Sequence, residues 1–169
     1  MLRFEVLGTD AIELETVVLS SEVAAGTIVV AEEHPTVAVE LTFGAFRLQY
    51  RFEAVQTGLA DFTVLWLPAT QRLFLGGKRQ SCVVNVLSGA VEHRFEHCLF
   101  WSFSEVDGGV LESGELDCLL RGTSGEILAH APVDPPWEMH PEPEGYRFES
   151  LVHGTTWLRF PKTGASPEK

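Results

Sequence analysis

The sequence predicts an all-β protein, an antiparallel β-sandwich or a set of stacked curved sheets made of many short strands, with at most one or two short helices. Three observations carry this expectation. Apolar residues recur with a period of two along most of the chain, and helical periodicity is scarce. Turn-forming clusters interrupt the alternation every 8–15 residues or about that, the spacing of a domain built from short strands.

Taken in order, Leu2, Phe4 and Val6 alternate with Arg3 and Glu5, as in a strand with one face on a core and one in water. Residues 11–25 suit either element: Ile12, Glu13, Leu14 and Glu15 alternate and Val17, Val18 and Leu19 favour a strand, yet the stretch would also make a short helix. Val37, Val39, Leu41 and Phe43 alternate with Thr36, Ala38, Glu40 and Thr42. Phe46, Leu48, Tyr50, Phe52 and Ala54 do so with Arg47, Gln49, Arg51 and Glu53, and Tyr146 and Phe148 with Arg147 and Glu149. The breakers between are Gly8 to Asp10, Glu33 to Pro35, Gly58 to Asp61, Gly76-Gly77, Ser88-Gly89, Asp107 to Gly109, Ser124-Gly125 and Gly154.

Cys82 to Val91 is echoed 36 residues later by Cys118 to Ile127, each copy a strand, a Ser-Gly turn and a second strand. Gly77 and Gly114 precede the two copies. The pattern is similar to the hairpins of propeller blades, but four blades of about 40 residues would barely fit the chain. Two similar hairpins in a sandwich or stack are therefore expected.

The chain has 169 residues, 45% of them hydrophobic, which suits one domain. A single all-β domain is expected over residues 1–160, with a flexible C-terminal tail over 161–169, where the sequence turns polar and holds two prolines. The net charge is −12. It is concentrated in residues 92–149, where 13 acids face 3 bases. Such a balance disfavours nucleic acid and anionic membrane surfaces, and favours steering of a basic partner. It also serves plain solubility. No apolar run approaches the roughly 20 residues of a membrane span, and Met1 to Glu5 lacks the apolar core of a signal peptide. Cys82, Cys98 and Cys118 are odd in number and show no C-x-x-C spacing, as expected of small buried hydrophobes in a reducing cytosol. A cytoplasmic location follows as the expectation.

Motifs that carry chemistry are weak. His93, Phe95, His97, Leu99, Trp101 and Phe103 form one alternating set, so His93 and His97 belong on a strand, ~13 Å apart and too far to share one metal ion. Both are expected half-buried on an aromatic face. Gly122 to Gly125 lacks the spacing of a nucleophile elbow, and Gly77-Lys78-Arg79 lacks the rest of a phosphate-binding loop. No catalytic residue, no metal ligand and no cofactor is expected, and an enzyme is the less favoured reading.

The unusual segment is Pro132 to Glu144, in which five of thirteen residues are proline. It is expected as a stiff extended loop, since proline cannot ladder into a sheet interior. Trp137 and Met139 supply adhesive side chains, and Asp134, Glu138, His140 and Glu142 surround them with polar groups. That anatomy points to an acidic protein-interaction module of the inhibitor or immunity type, docking a basic protein through these six residues. The competing expectation has Trp137 folded back to cap a sheet edge. The alternative function is a small-molecule or carbohydrate-binding domain, or an enzyme, with its site on a concave face lined by Phe46, Tyr50, Phe52, Trp66 and Trp101.

Overall fold

A computed structural model describes residues 3–7, 27–31, 37–43, 46–52, 62–77 and 79–160. The expectations for residues 11–25 and for the tail at 161–169 lie outside these. Among the described residues there are fifteen strands and no helix, in four sheets. The first holds β1 (Arg3–Leu7), β2 (Thr27–Ala31), β3 (Val37–Phe43) and β4 (Phe46–Phe52) in the order β1-β3-β4-β2. Two four-stranded meanders follow: β5 (Thr63–Leu67), β6 (Arg72–Gly76), β7 (Gln80–Asn85) and β8 (Val91–Glu96), then β9 (Phe100–Val106), β10 (Gly109–Gly114), β11 (Asp117–Gly122) and β12 (Ile127–Pro132). The fourth sheet is the meander β13 (Trp137–Glu142), β14 (Gly145–Ser150) and β15 (Gly154–Arg159).

One pair departs from the antiparallel expectation: β2 runs parallel to β4. The chain reverses into β3 and again into β4, and β4 inserts beside β2, so the neighbours point the same way. The other three sheets are antiparallel throughout.

Three core layers tie the sheets together. Leu48 and Tyr50 of β4 pack on Leu73, Leu75, Cys82 and Val84 of β6 and β7. The opposite side of the same two strands buries Phe74 and Val83 against Val110 of β10, with Leu67. Beyond the third sheet, Leu111, Cys118, Leu120, Ala131 and Val133 meet Phe148 and Leu158 of the fourth. The alternation predicted for β4 is thus observed, with Leu48 and Tyr50 buried and Arg47 exposed. β6, β7, β10 and β11 are buried on both faces, with consecutive apolar residues at Leu73 to Leu75 and Cys82 to Val84. Each fully buried Leu or Phe contributes about 1.5–3 kcal/mol. Close approach is enforced at Gly76, where an added Cβ would lie 2.1 Å from the Phe100 ring.

The two echoed hairpins occupy the same place, as third and fourth strands of successive meanders. Their connections differ by one residue, 86–90 against 123–126. The matching cysteines nonetheless face opposite ways, Cys82 back to the first sheet and Cys118 forward to the fourth.

The layer between the second and third sheets is completed by charge. Arg121 is fully buried. Its Nε donates to Glu112 Oε2, Nη1 donates to the carbonyls of His93 (3.2 Å) and Gly125 (2.9 Å), and Nη2 donates to Ser81 Oγ at 3.1 Å. Glu112, also fully buried, accepts at Oε1 from Ser81 Oγ and from His97 Nε2. Burial opposes the Glu112 charge, but the His97 hydrogen bond and the Arg121 guanidinium outweigh it, holding the carboxyl below its ordinary range.

The reading of His93 and His97 on a single strand is corrected here. The run breaks after β8, where residues 97–99 turn and His97 N donates to Arg79 O at 2.6 Å. His97 is buried, whereas His93 is exposed, with φ 48° beside an irregularity in the β7–β8 ladder. That left-handed backbone accompanies a carbonyl facing Arg121. The expectation that all three thiols are buried is also corrected: Cys82 and Cys118 are, Cys98 is exposed. Burial pushes the Cys118 thiol up to about 12.

Thiol titration of the native protein should accordingly find one reacting cysteine, abolished by Cys98→Ser, with the other two reacting only on unfolding. It should react more slowly than a free thiol, because the hydrogen bond with Glu115 raises the Cys98 thiol. Glu112→Gln leaves Arg121 buried without its counter-charge and should cost about 3–5 kcal/mol in urea unfolding. Because the folded carboxyl lies below its ordinary value of 4.5, its contribution is complete above that pH and is lost as pH falls through the folded value. Glu112→Gln should therefore flatten the acid limb of stability against pH.

Candidate functional site

The fourth sheet buries one face and leaves the other open. On β14, Phe148 faces the core while Arg147 and Glu149 face outward. On β13, Trp137 and Met139 share the side of Phe148, and Glu138, His140 and Glu142 stand on the outward side. The cross-strand register sets Glu138 opposite Glu149 and His140 opposite Arg147.

Residues 137–142 are therefore a strand and not the expected loop. β13 is an edge strand, where a missing proline N–H costs least, so Pro141 pairs opposite Tyr146 and the ladder continues. Only residues 133–136 form the connection, which contains a cis peptide between Pro135 and Pro136.

The six expected binding residues separate into three groups. Asp134 is turned inward: its carboxylate accepts from the backbone N–H groups of Val152 and His153, at 3.0 Å each, and so orders the β14–β15 turn. Desolvation opposes its charge, but the N–H of His153, the Ser150 side chain and the N–H of Val152 outweigh it and lower the carboxyl below its usual range. Trp137 is half-buried, edge-on to Phe148 (centroids 5.6 Å) and stacked at 5.2 Å and 17° on Trp101 of β9. It closes the edge of the third core layer. Glu138, Met139, His140 and Glu142 remain at the surface, with Met139 38% exposed.

Three further residues belong to this surface that the segment alone did not indicate, Arg147 and Glu149 on the outward face and Trp101 at the sheet's margin against Trp137. Arg147 Nε donates to Glu142 Oε1 at 3.3 Å, and its Nη1 donates to Glu149 Oε1. Trp101 exposes 41% of its surface while holding Trp137. Alternation with Tyr146 and Phe148 marked Arg147 and Glu149 as outward, but only the register places them beside Glu138 and His140. Next to them, Glu142, Pro143, Glu144, Trp157 and Arg159 line a shallow open depression of about 300 Å³. The Arg159 guanidinium lies 5.4 Å from the Trp157 ring centre there.

The Ser81–His97–Glu112 cluster lacks the access that catalysis needs. Ser81 and His97 both bond the same carboxylate, and Ser81 is 1% exposed, so no substrate reaches its hydroxyl. The aromatic face proposed for a small molecule is not continuous either. Tyr50 is fully buried against Phe62 between the first two sheets, and Trp101 belongs to the third. The side chains of Phe46 and Phe52 lie outside the described residues. No helix of the described residues is long and apolar enough to cross a membrane.

Fold and face together define an all-β protein of stacked short-stranded sheets with a charged outer edge. No protein-family model matches the chain, and no curated protein does. Among solved structures, BamB from Moraxella catarrhalis is similar over 81% of this chain and 59% of its own, at 10% identity and a TM-score of 0.30. The chain thus spans under two thirds of that protein, at a level of likeness that carries no conclusion.

Trp137→Ala removes a half-buried ring from the third core layer and should lower stability by about 2–3 kcal/mol. Urea unfolding checks this, and a change below about 0.5 kcal/mol would return Trp137 to the displayed anchor first expected.

Proposed function

We propose that the chain is an acidic protein-interaction module, of the inhibitor or immunity type, that docks a basic protein through the β13 edge and the outward face of the fourth sheet. The supporting observation is the Trp101–Trp137 stack. A Trp exposed by 41% lies against a second indole at the margin of a segment with 13 acids and 3 bases. Large aromatics with a charged surround supply affinity from the ring and partner choice from the rim. Trp101 and Met139 are the adhesive groups, and Glu138 and Glu142 the steering ones. Trp137 acts from beneath as the support of Trp101. The partner is a protein with a basic patch; nucleic acid is disfavoured by the charge.

The test uses the full chain as bait in native lysate, beside Trp101→Ala and Glu138→Lys/Glu142→Lys. A basic protein should be captured at 50 mM salt. It should be lost with Trp101→Ala and weakened by the charge reversal and by 500 mM salt, which shortens the Debye length from roughly 14 to 4 Å. The stability of the charge-reversal variant should change little, and Trp101→Ala, which also loses its stack on Trp137, is compared under conditions where it is fully folded. Capture unaffected by both variants would overturn the reading.

A further inference from the structure

We propose that Glu138, His140 and Glu149 form a binding site for a divalent transition-metal cation such as zinc, on the outward face of the β13–β14 pair. The proposal is independent of the docking reading. One ligand atom from each of the three residues lies within 4.8 Å of the other two. His140 Nε2 is 3.7 Å from Glu138 Oε2 and 3.9 Å from Glu149 Oε2. These separations are too long for hydrogen bonds. They exceed by a few tenths of an ångström the ~3.4 Å between ligands of a tetrahedral ion with bonds near 2.1 Å. Three ligand atoms therefore converge without bonding one another.

Two further features point to a cation. His140 Nε2 is shielded from solvent and has no hydrogen-bond partner, although two carboxylates flank it. Glu138 and Glu149 are paired directly across the ladder, where like charges destabilise a sheet unless a positive charge lies between them. Arg147 does not fill that position: its Nη1 takes Glu149 Oε1 and its Nε takes Glu142, which turns Glu149 Oε2 toward His140. Such second contacts orient a ligand and raise its specificity. Glu138, Glu142 and Glu149 with Arg147 sum to −2, which a divalent ion neutralises. An imidazole among the ligands favours zinc over magnesium or calcium, which take oxygen. Three protein ligands at an exposed face leave a coordination position for water or a partner's side chain.

The test is calorimetric titration of the chelator-treated full chain with Zn²⁺ alone, in a Cys98→Ser background so that the exposed thiol supplies no ligand. One equivalent should bind, and the melting temperature should rise with it. His140→Ala and Glu149→Gln should each weaken binding about tenfold or more. His130→Ala, which removes another exposed imidazole beside a carboxylate, should leave it unchanged within about twofold. Mg²⁺ and Ca²⁺ should compete poorly. Absence of saturable binding, binding undiminished in His140→Ala, or binding lost with His130→Ala would each overturn the proposal.

Discussion

The buried ion pair between Glu112 and Arg121 is the constraint around which the middle of the molecule is arranged. Two charges taken out of water are costly, and their attraction offsets this only when every remaining donor and acceptor is used. Arg121 spends four N–H groups on Glu112, Ser81 and two backbone carbonyls. Those partners come from β7, β8, β10 and the turn after β11, so the cluster fixes how the second sheet lies on the third. It also dictates local backbone. Gly125 brings its carbonyl to Arg121 at φ 102°, where an added Cβ would strike Val83 at 2.7 Å. His93 gives up its place in the regular ladder so that its carbonyl faces the same guanidinium. A hydrophobic replacement of the whole cluster would pack as well or better on energy alone. The ion pair contributes one permitted register between two sheets that would otherwise present only apolar faces to each other.

With that layer fixed, the positions of the other sheets follow by burial. The second and third sheets are covered on both faces, so their central strands have no outward side for charge. The fourth sheet has one. Phe148 and Leu158 attach it to the third sheet, and the alternating positions of the same strands carry Glu138, His140, Glu142, Arg147 and Glu149 into solvent. The charged face is the consequence of being last in the stack as described. The stacked indoles mark the seam where the fourth sheet's first strand meets the third sheet's first strand.

What could be read in the sequence was local. Period-two alternation located β4 and β14 and gave the correct inward sides, Leu48 and Tyr50 in one and Phe148 in the other. The Ser-Gly turns gave both hairpins. The failures share a cause, which is that each partner lies outside the segment's own alternation, from the neighbouring strand for Pro141 to another hairpin for Asp134. Nothing near Pro141 shows that β14 will accept it as an edge neighbour, so proline content alone argued for a loop. His93 and His97 obey the alternation of one strand, and only a carboxylate fifteen residues beyond His97 explains why the strand ends between them. Asp134 looked like a rim charge because its acceptors' partners, the amides of the 151–153 turn, lie in another hairpin. The candidate site was legible as a segment and not as a face: half of it sits on β14, whose register was invisible.

Charge on an edge strand has an ordinary explanation. Glu138, Glu142 and Pro141 all discourage edge-to-edge pairing, and a stack that ends in an uncovered β13 requires some such device. That explanation accounts for β13 and stops there. Glu149 lies on the central strand, where no edge needs defending, and its direct opposition to Glu138 adds repulsion within the sheet. Arg147 relieves part of that repulsion through Glu149 Oε1, yet it leaves Oε2 turned to an imidazole nitrogen with no bond of its own. Trp101 is likewise beyond the needs of edge defence, since an exposed indole invites association instead of preventing it. The residues left over lie beside the defensive ones but are not explained by edge defence, and they give this surface its reading as a binding face.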